Sequence, residues 1–151
     1  MSERERKLRF VKAYLDNAKE RISLAEISKA RGFHHNAVRF SQEAVELCLK
    51  AVLRLYGVEY PKSHDVAPIL KRYSAMFPGW FQRRIPDIAR YSRDLSHNRG
   101  PAMYGDEEAE IPPNELYDEK DSEDAICKAK TLLELCLRLL KERESKIQGV
   151  P

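Results

Sequence analysis

Glycine is scarce here, at 6 of 151 residues. With a charged fraction of 34% and long periodic segments, that scarcity favours helices over a sheet. No apolar run reaches the roughly 20 residues that a bilayer crossing needs, so no membrane partner is expected. A leader is missing too: the opening stretch MSERERKLRF is charged where a secretory signal has its apolar centre, and a cytoplasmic location is the expectation. Cysteine is sparse and odd in number. Cys48, Cys127 and Cys136 have no CxxC spacing, which argues against a disulfide framework or a zinc site. Set among apolar neighbours at helical spacing, all three are expected to be small core residues. His34, His35, His64 and His97 lack the paired spacing of a metal motif, so no metal and no cofactor is expected.

The strongest positive signal is the stretch Arg39 to Gly57. Ala44, Val45, Leu47, Cys48, Leu49, Ala51, Val52, Leu53, Leu55 and Tyr56 leave only a narrow polar stripe through Arg39, Glu43, Glu46, Lys50 and Arg54. A helix apolar nearly all round belongs in the middle of a bundle. Before it, Leu8, Val11, Leu15, Ala18, Ile22 and Ala25 recur three or four residues apart, the stripe of a long amphipathic helix running from Glu3 to about Arg31 and ended by Gly32. A connection holding Phe33 and two histidines would join the two helices into a hairpin, with Gly57 as the second stop.

Beyond Gly57 the elements shorten. Ser63 is a candidate N-cap for a third helix with Pro68 in its first turn, fading near Phe77-Pro78-Gly79. Trp80 and Phe81 fall in a break and are expected to anchor it to the core. A fourth helix is expected from about Pro86, stopped by Gly100-Pro101. The acidic segment Ala102 to Asp121, with Pro112-Pro113, reads as a long surface loop. From Ser122 as N-cap a last helix runs to about Lys146, with Ile126, Ala129, Leu133, Cys136 and Leu140 on one face and Leu132, Leu135 and Leu139 on another. So wide an apolar surface makes that helix either central or part of a partner's interface. The expected fold is one all-α domain, residues 1–151, an antiparallel up-and-down bundle of about five helices.

The net charge of +3 conceals a division: acids crowd Asp106 to Asp124, while Lys and Arg dominate the first helix and the stretch Arg83 to Arg99. Solvated helix faces carry such runs, yet the separation permits a phosphate-binding face. At 100° per residue, Arg90, Arg93 and His97 fall within about 60° of one another, while Ile88, Tyr91, Ser92 and Leu95 point roughly the opposite way. A structural reading exists as well. Cations in a last turn complement the helix dipole, which would account for Arg93, His97 and Arg99, and Arg90 can pair with Asp94.

The run Ser41-Gln42-Glu43-Ala44-Val45-Glu46-Leu47-Cys48-Leu49-Lys50-Ala51, then Gly57, then His64 in a capped turn, resembles the HEPN superfamily of small prokaryotic helical domains. The resemblance implies a dimer-forming bundle working with RNA or nucleotides, often paired with a small nucleotidyltransferase as antitoxin. Active members are similar in carrying an Arg, four to six residues, then a His, as metal-independent ribonucleases; Arg90 and His97 have six residues between them. Two features depart from the active pattern: Tyr91 follows Arg90, and Arg99 stands where adenylylated members carry a Tyr. In addition, Asn98 to Gly105 resembles members without the nuclease motif. The leading expectation is therefore a homodimeric nucleotide- or RNA-associated binding module paired with a nucleotidyltransferase, with Arg83, Arg84, Arg93 and Arg99 as phosphate contacts. The alternative is an endoribonuclease using Arg90 and His97. A third reading is a protein-interaction bundle docking through the second apolar face of the last helix.

Overall fold

The computed structural model describes residues 1–147 and is built on four long helices with three short ones between them. α1 spans Glu3–Ala30 and α2 spans His34–Leu55. The short α3, Ala67–Arg72, is followed by a 3-10 turn at Ser74–Met76 and by α4, Gly79–Gln82. The long α5 covers Ile85–Tyr104, the single turn α6 covers Pro113–Leu116, and α7 runs through Glu119–Ile147. The all-α expectation holds, with no strand among the described residues.

α1 forms where its stripe places it. Ser2 caps it, accepting from Glu5 N–H at 3.1 Å while Glu5 accepts from Ser2 N–H at 3.2 Å, a reciprocal capping box. Val11, Leu15, Ala18, Ile22 and Ala25 are all buried on its inner side. The connection to α2 is shorter than expected, because His34 and His35 are already helical. Phe33 N–H reaches Ser28 O at 2.8 Å across Gly32, which closes α1 in a single turn and lets α2 begin at once. The same closure ends α2: Val58 N–H donates to Leu53 O at 2.8 Å, which requires Gly57 at φ 72°.

α2 is the hub, packed against α1, α5 and α7. Ala44, Val45, Cys48, Leu49, Ala51, Val52, Leu53 and Leu55 are all buried, and the polar stripe from Arg39 to Arg54 is the side that stays accessible. α7 covers α2 with both of its apolar faces: Leu132 and Leu139 are fully buried alongside Ala129 and Cys136. The second face is therefore part of this chain's own core, and the third reading loses the surface it relied on. Phe81 lies wholly within the core. Trp80 donates its indole N–H to Glu142 at 3.1 Å, and the Arg138 guanidinium sits 3.8 Å over the ring, so α4 is pinned onto α7 as an anchor.

Four further boundaries differ from expectation. Ser63 does not cap α3; Asp65 accepts from Ala67 N–H at 3.1 Å, and the helix begins there. Pro68 does lie in its first turn. α5 continues through Gly100-Pro101 for another turn, since Ala102 is buried and Gly105 N–H closes onto Pro101 O at 2.8 Å. The segment expected as loop is mostly organised: Asp106 and Ile111 bridge in antiparallel fashion, and α6 follows. Gly105, at φ 76°, makes that bridge possible, because a Cβ there would lie 2.2 Å from Ile111 O. Finally, α7 starts before Ser122, with Asp118 and Asp121 accepting from each other's N–H at 2.9 Å. Ser122 is instead buried, its hydroxyl donating to Glu119 O at 2.8 Å and lying 3.0 Å from His34 Nδ1, a tie between the first turns of α2 and α7. Cys127, expected in the core, is exposed; Cys48 and Cys136 are buried.

Candidate functional site

α5 presents two sides of different character. The inner side carries Ile88, Ser92 and Leu95 into the bundle, and all three are buried. The outer side carries Arg90, Arg93 and His97, all exposed. Arg90 is 57% exposed and pairs with Asp87, one turn back, rather than with Asp94. Arg93 lies 3.9 Å from Asp94, which Lys128 also approaches at 4.0 Å. Because α5 runs on to Tyr104, neither Arg93 nor His97 is in its last turn, and the dipole explanation does not apply to them.

The other expected phosphate contacts do not join this face as one group. Arg84 is at the head of α5, 3.9 Å from Asp87, and Arg83 precedes it. Arg99 turns the other way. Nine residues at 100° each place it about 180° from Arg90, and its guanidinium donates to Gln42 Oε1 at 2.7 Å, inside the bundle.

That contact belongs to a network assembled from the residues of the α2 signature. Gln42, 1% exposed, donates from Nε2 to Glu46 at 3.0 Å, and Lys50 donates to the other Glu46 oxygen at 2.9 Å. His64 Nδ1 meets Glu46 at 2.9 Å, and the His64 carbonyl accepts from Ser96 on α5 at 3.0 Å. One residue on, Asp65 accepts from the Ser92 hydroxyl at 2.6 Å. Burial works against ionisation of Glu46. The hydrogen bonds from Lys50, Gln42 and His64, with the Lys50 charge, outweigh it and hold the carboxyl below its usual value. The chain thus converts a polar patch on a buried helix into a clamp on the loop before α3 and on the inner side of α5.

A family model of the HEPN domain matches residues 11–141. The chain belongs to the HEPN family. The curated "Putative toxin MJ1304" of Methanocaldococcus jannaschii is 25% identical over 142 residues, covering 90% of this chain and 91% of its own length. The solved structure of ST0689, an archaeal HEPN homologue, superposes with a TM-score of 0.66 at 23% identity, over 86% of this chain and 97% of the other, and shows the shared fold.

In this HEPN domain the sequence reading missed the clamp and missed that Arg99 belongs to it. A signal was available: Gln42, Glu46 and Lys50 recur at intervals of four on a helix that is otherwise apolar, a pattern that demands partners once the helix is buried. Among the described residues no three His, Cys, Asp or Glu side chains come together as a metal ion would need. No described helix is long and apolar enough to cross a membrane.

Proposed function

We propose that this HEPN protein is a homodimeric nucleotide- or RNA-associated binding module, paired in the cytoplasm with a minimal nucleotidyltransferase in a toxin–antitoxin-like system. One observation carries the reading: Arg90, Arg93 and His97 share the solvent side of α5, where among the described residues Arg90 pairs only with Asp87 and Arg93 only with Asp94. Guanidinium groups so placed can exchange a surface carboxylate for a phosphate at little cost, since exposed pairs contribute at most about 1 kcal/mol. Arg83 and Arg84 extend the same positive charge toward the head of α5. Arg99 contributes through position, by fixing the inner side of the helix.

The toxin name of the M. jannaschii relative favours a second reading, a metal-independent endoribonuclease. His97 would take the proton of a ribose 2′-hydroxyl as its oxygen attacks the adjacent phosphorus. The bond from phosphorus to the 5′-oxygen breaks, the leaving oxygen takes up a proton, and a cyclic phosphate remains. Arg90 would stabilise the charge that builds on the phosphate. A catalytic histidine is normally oriented by a second hydrogen bond. Within one protomer no described group makes a hydrogen bond to His97, so this route depends on a second copy of the face.

The test is incubation of purified protein with labelled RNA in EDTA, beside His97→Ala and Arg90→Ala variants of unchanged helicity, with sedimentation to establish the oligomer. Binding without cleavage, weakened by substitution of Arg93, supports the module. Cleavage abolished by both variants promotes the nuclease, and a monomer with no affinity for RNA or nucleotide overturns both.

A further inference from the structure

The pole where α1 begins and α2 ends holds a second cationic surface, away from the exposed side of α5. A groove of about 740 Å³ there is lined by Arg6, Lys7, Phe10, Arg54 and Tyr60, with Glu3 and Glu59 as its acids. A second groove of about 670 Å³ adjoins it, sharing Glu3 and Lys7 and adding Arg4, Arg143 and Lys146. Together they form a trough around the first turns of α1. None of these six cations is in an ion pair among the described residues, whereas those on the outer side of α5 are.

The trough also has flat surfaces. The Arg54 guanidinium lies 4.0 Å from the centre of the Phe10 ring, with Nε donating to the Tyr60 hydroxyl at 2.8 Å. Phe10 is 44% exposed, with Tyr14 packed against it at 4.9 Å between ring centres, so part of its ring stays open to the groove. Lys7 Nζ reaches over Gly57, where a Cβ would lie 3.7 Å from it, which places the ammonium beside the groove. An acidic peptide would need the cations but not the rings. A mononucleotide would fill one groove but not both. Cations that track along a groove, interleaved with an exposed ring at Phe10, a half-buried one at Tyr60 and an exposed guanidinium at Arg54, are what a single-stranded nucleic acid uses: phosphates on the cations and bases on the planes.

We propose that this pole is a nucleic-acid-binding site distinct from the α5 face, taking single-stranded RNA with Arg6 and Lys7 on phosphates and a base stacked at Phe10 and Tyr60. It does not depend on how the α5 face is used. The experiment measures fluorescence anisotropy of a labelled single-stranded oligoribonucleotide of about 12 nucleotides on the full chain, across a salt series. The proteins are wild type, Arg6→Glu/Lys7→Glu, Phe10→Ala and Arg90→Glu/Arg93→Glu, each checked by circular dichroism. The pole pair is expected to lose about tenfold or more in affinity and to flatten the salt slope by about one to two units. Phe10→Ala is expected to lose about fivefold. Photo-cross-links in the wild type should map to Phe10 or Tyr60, a readout that needs no variant to fold.

A pole pair that binds like wild type while the α5 pair loses binding would overturn the site. So would cross-links confined to α5, or a wild type that binds an acidic peptide and no oligonucleotide.

Discussion

The inner and outer sides of α5 carry similar residues to opposite ends. On the inner side Arg99, Ser96 and Ser92 each reach a partner on α2 or on the loop before α3, and the acceptors Gln42 and Glu46 are themselves tied to Lys50 and His64. On the outer side, among the described residues, Arg90 and Arg93 pair only with carboxylates of their own helix, one turn or one residue away. A charge is committed to the fold when its partners are distant in sequence and shielded from water, and is free for a ligand when they are local and wet.

The sharpest way to break that comparison is Gln42→Ala. It removes the one group joining Arg99 to Glu46 and leaves both facing a cavity. A loss of about 2–3 kcal/mol in urea unfolding is expected; a change below about 0.5 kcal/mol would mean that the clamp does not hold the bundle. Next in size is Gly105→Ala at the end of α5. The left-handed backbone and the Ile111 carbonyl together should make it cost about 1–3 kcal/mol, and the loss should show as faster amide exchange from Ala102 to Ile111.

A smaller effect should appear with acid. Glu46 ionises more readily folded than unfolded, so its contribution is fully present above its unfolded value of about 4.5 and is lost as pH falls from there through the lower folded value. Wild type should therefore lose more stability than Glu46→Gln between neutral pH and about pH 3. Parallel stability curves for the two would contradict the assignment. The smallest effect belongs to the outer side. Arg90→Ala and His97→Ala should each shift unfolding by less than about 0.5 kcal/mol, whatever they do to RNA. A large shift at either would erase the distinction between the two sides.

Most of the fold was legible in the chain. The three- and four-residue spacing of α1, the all-round apolarity of α2 and the glycines that end them appear in the structure where the pattern puts them, because helix phase and helix stops depend on near neighbours. The HEPN resemblance, drawn from the α2 signature, is matched by the family model. Legibility failed where a local signal was overruled from afar. Gly100-Pro101 looks like a stop, but Ala102 is buried and the turn continues; Ser122 looks like a cap, but it is buried against His34. Cys127 fits the apolar pattern of its neighbours and still faces outward, a matter of one position around α7.

The candidate site divides in the same way. The common face of Arg90, Arg93 and His97 followed from helical phase, and the same arithmetic could have placed Arg99 opposite. What it could not supply was the partner. Arg99 meets Gln42 across 57 residues, and His64 meets Glu46 across 18. Phase along one helix is set by the covalent geometry of its backbone and can be counted from the residues alone. Which residue of one helix faces which of another is set by how the apolar surfaces of all the helices close together, and only the folded chain decides that.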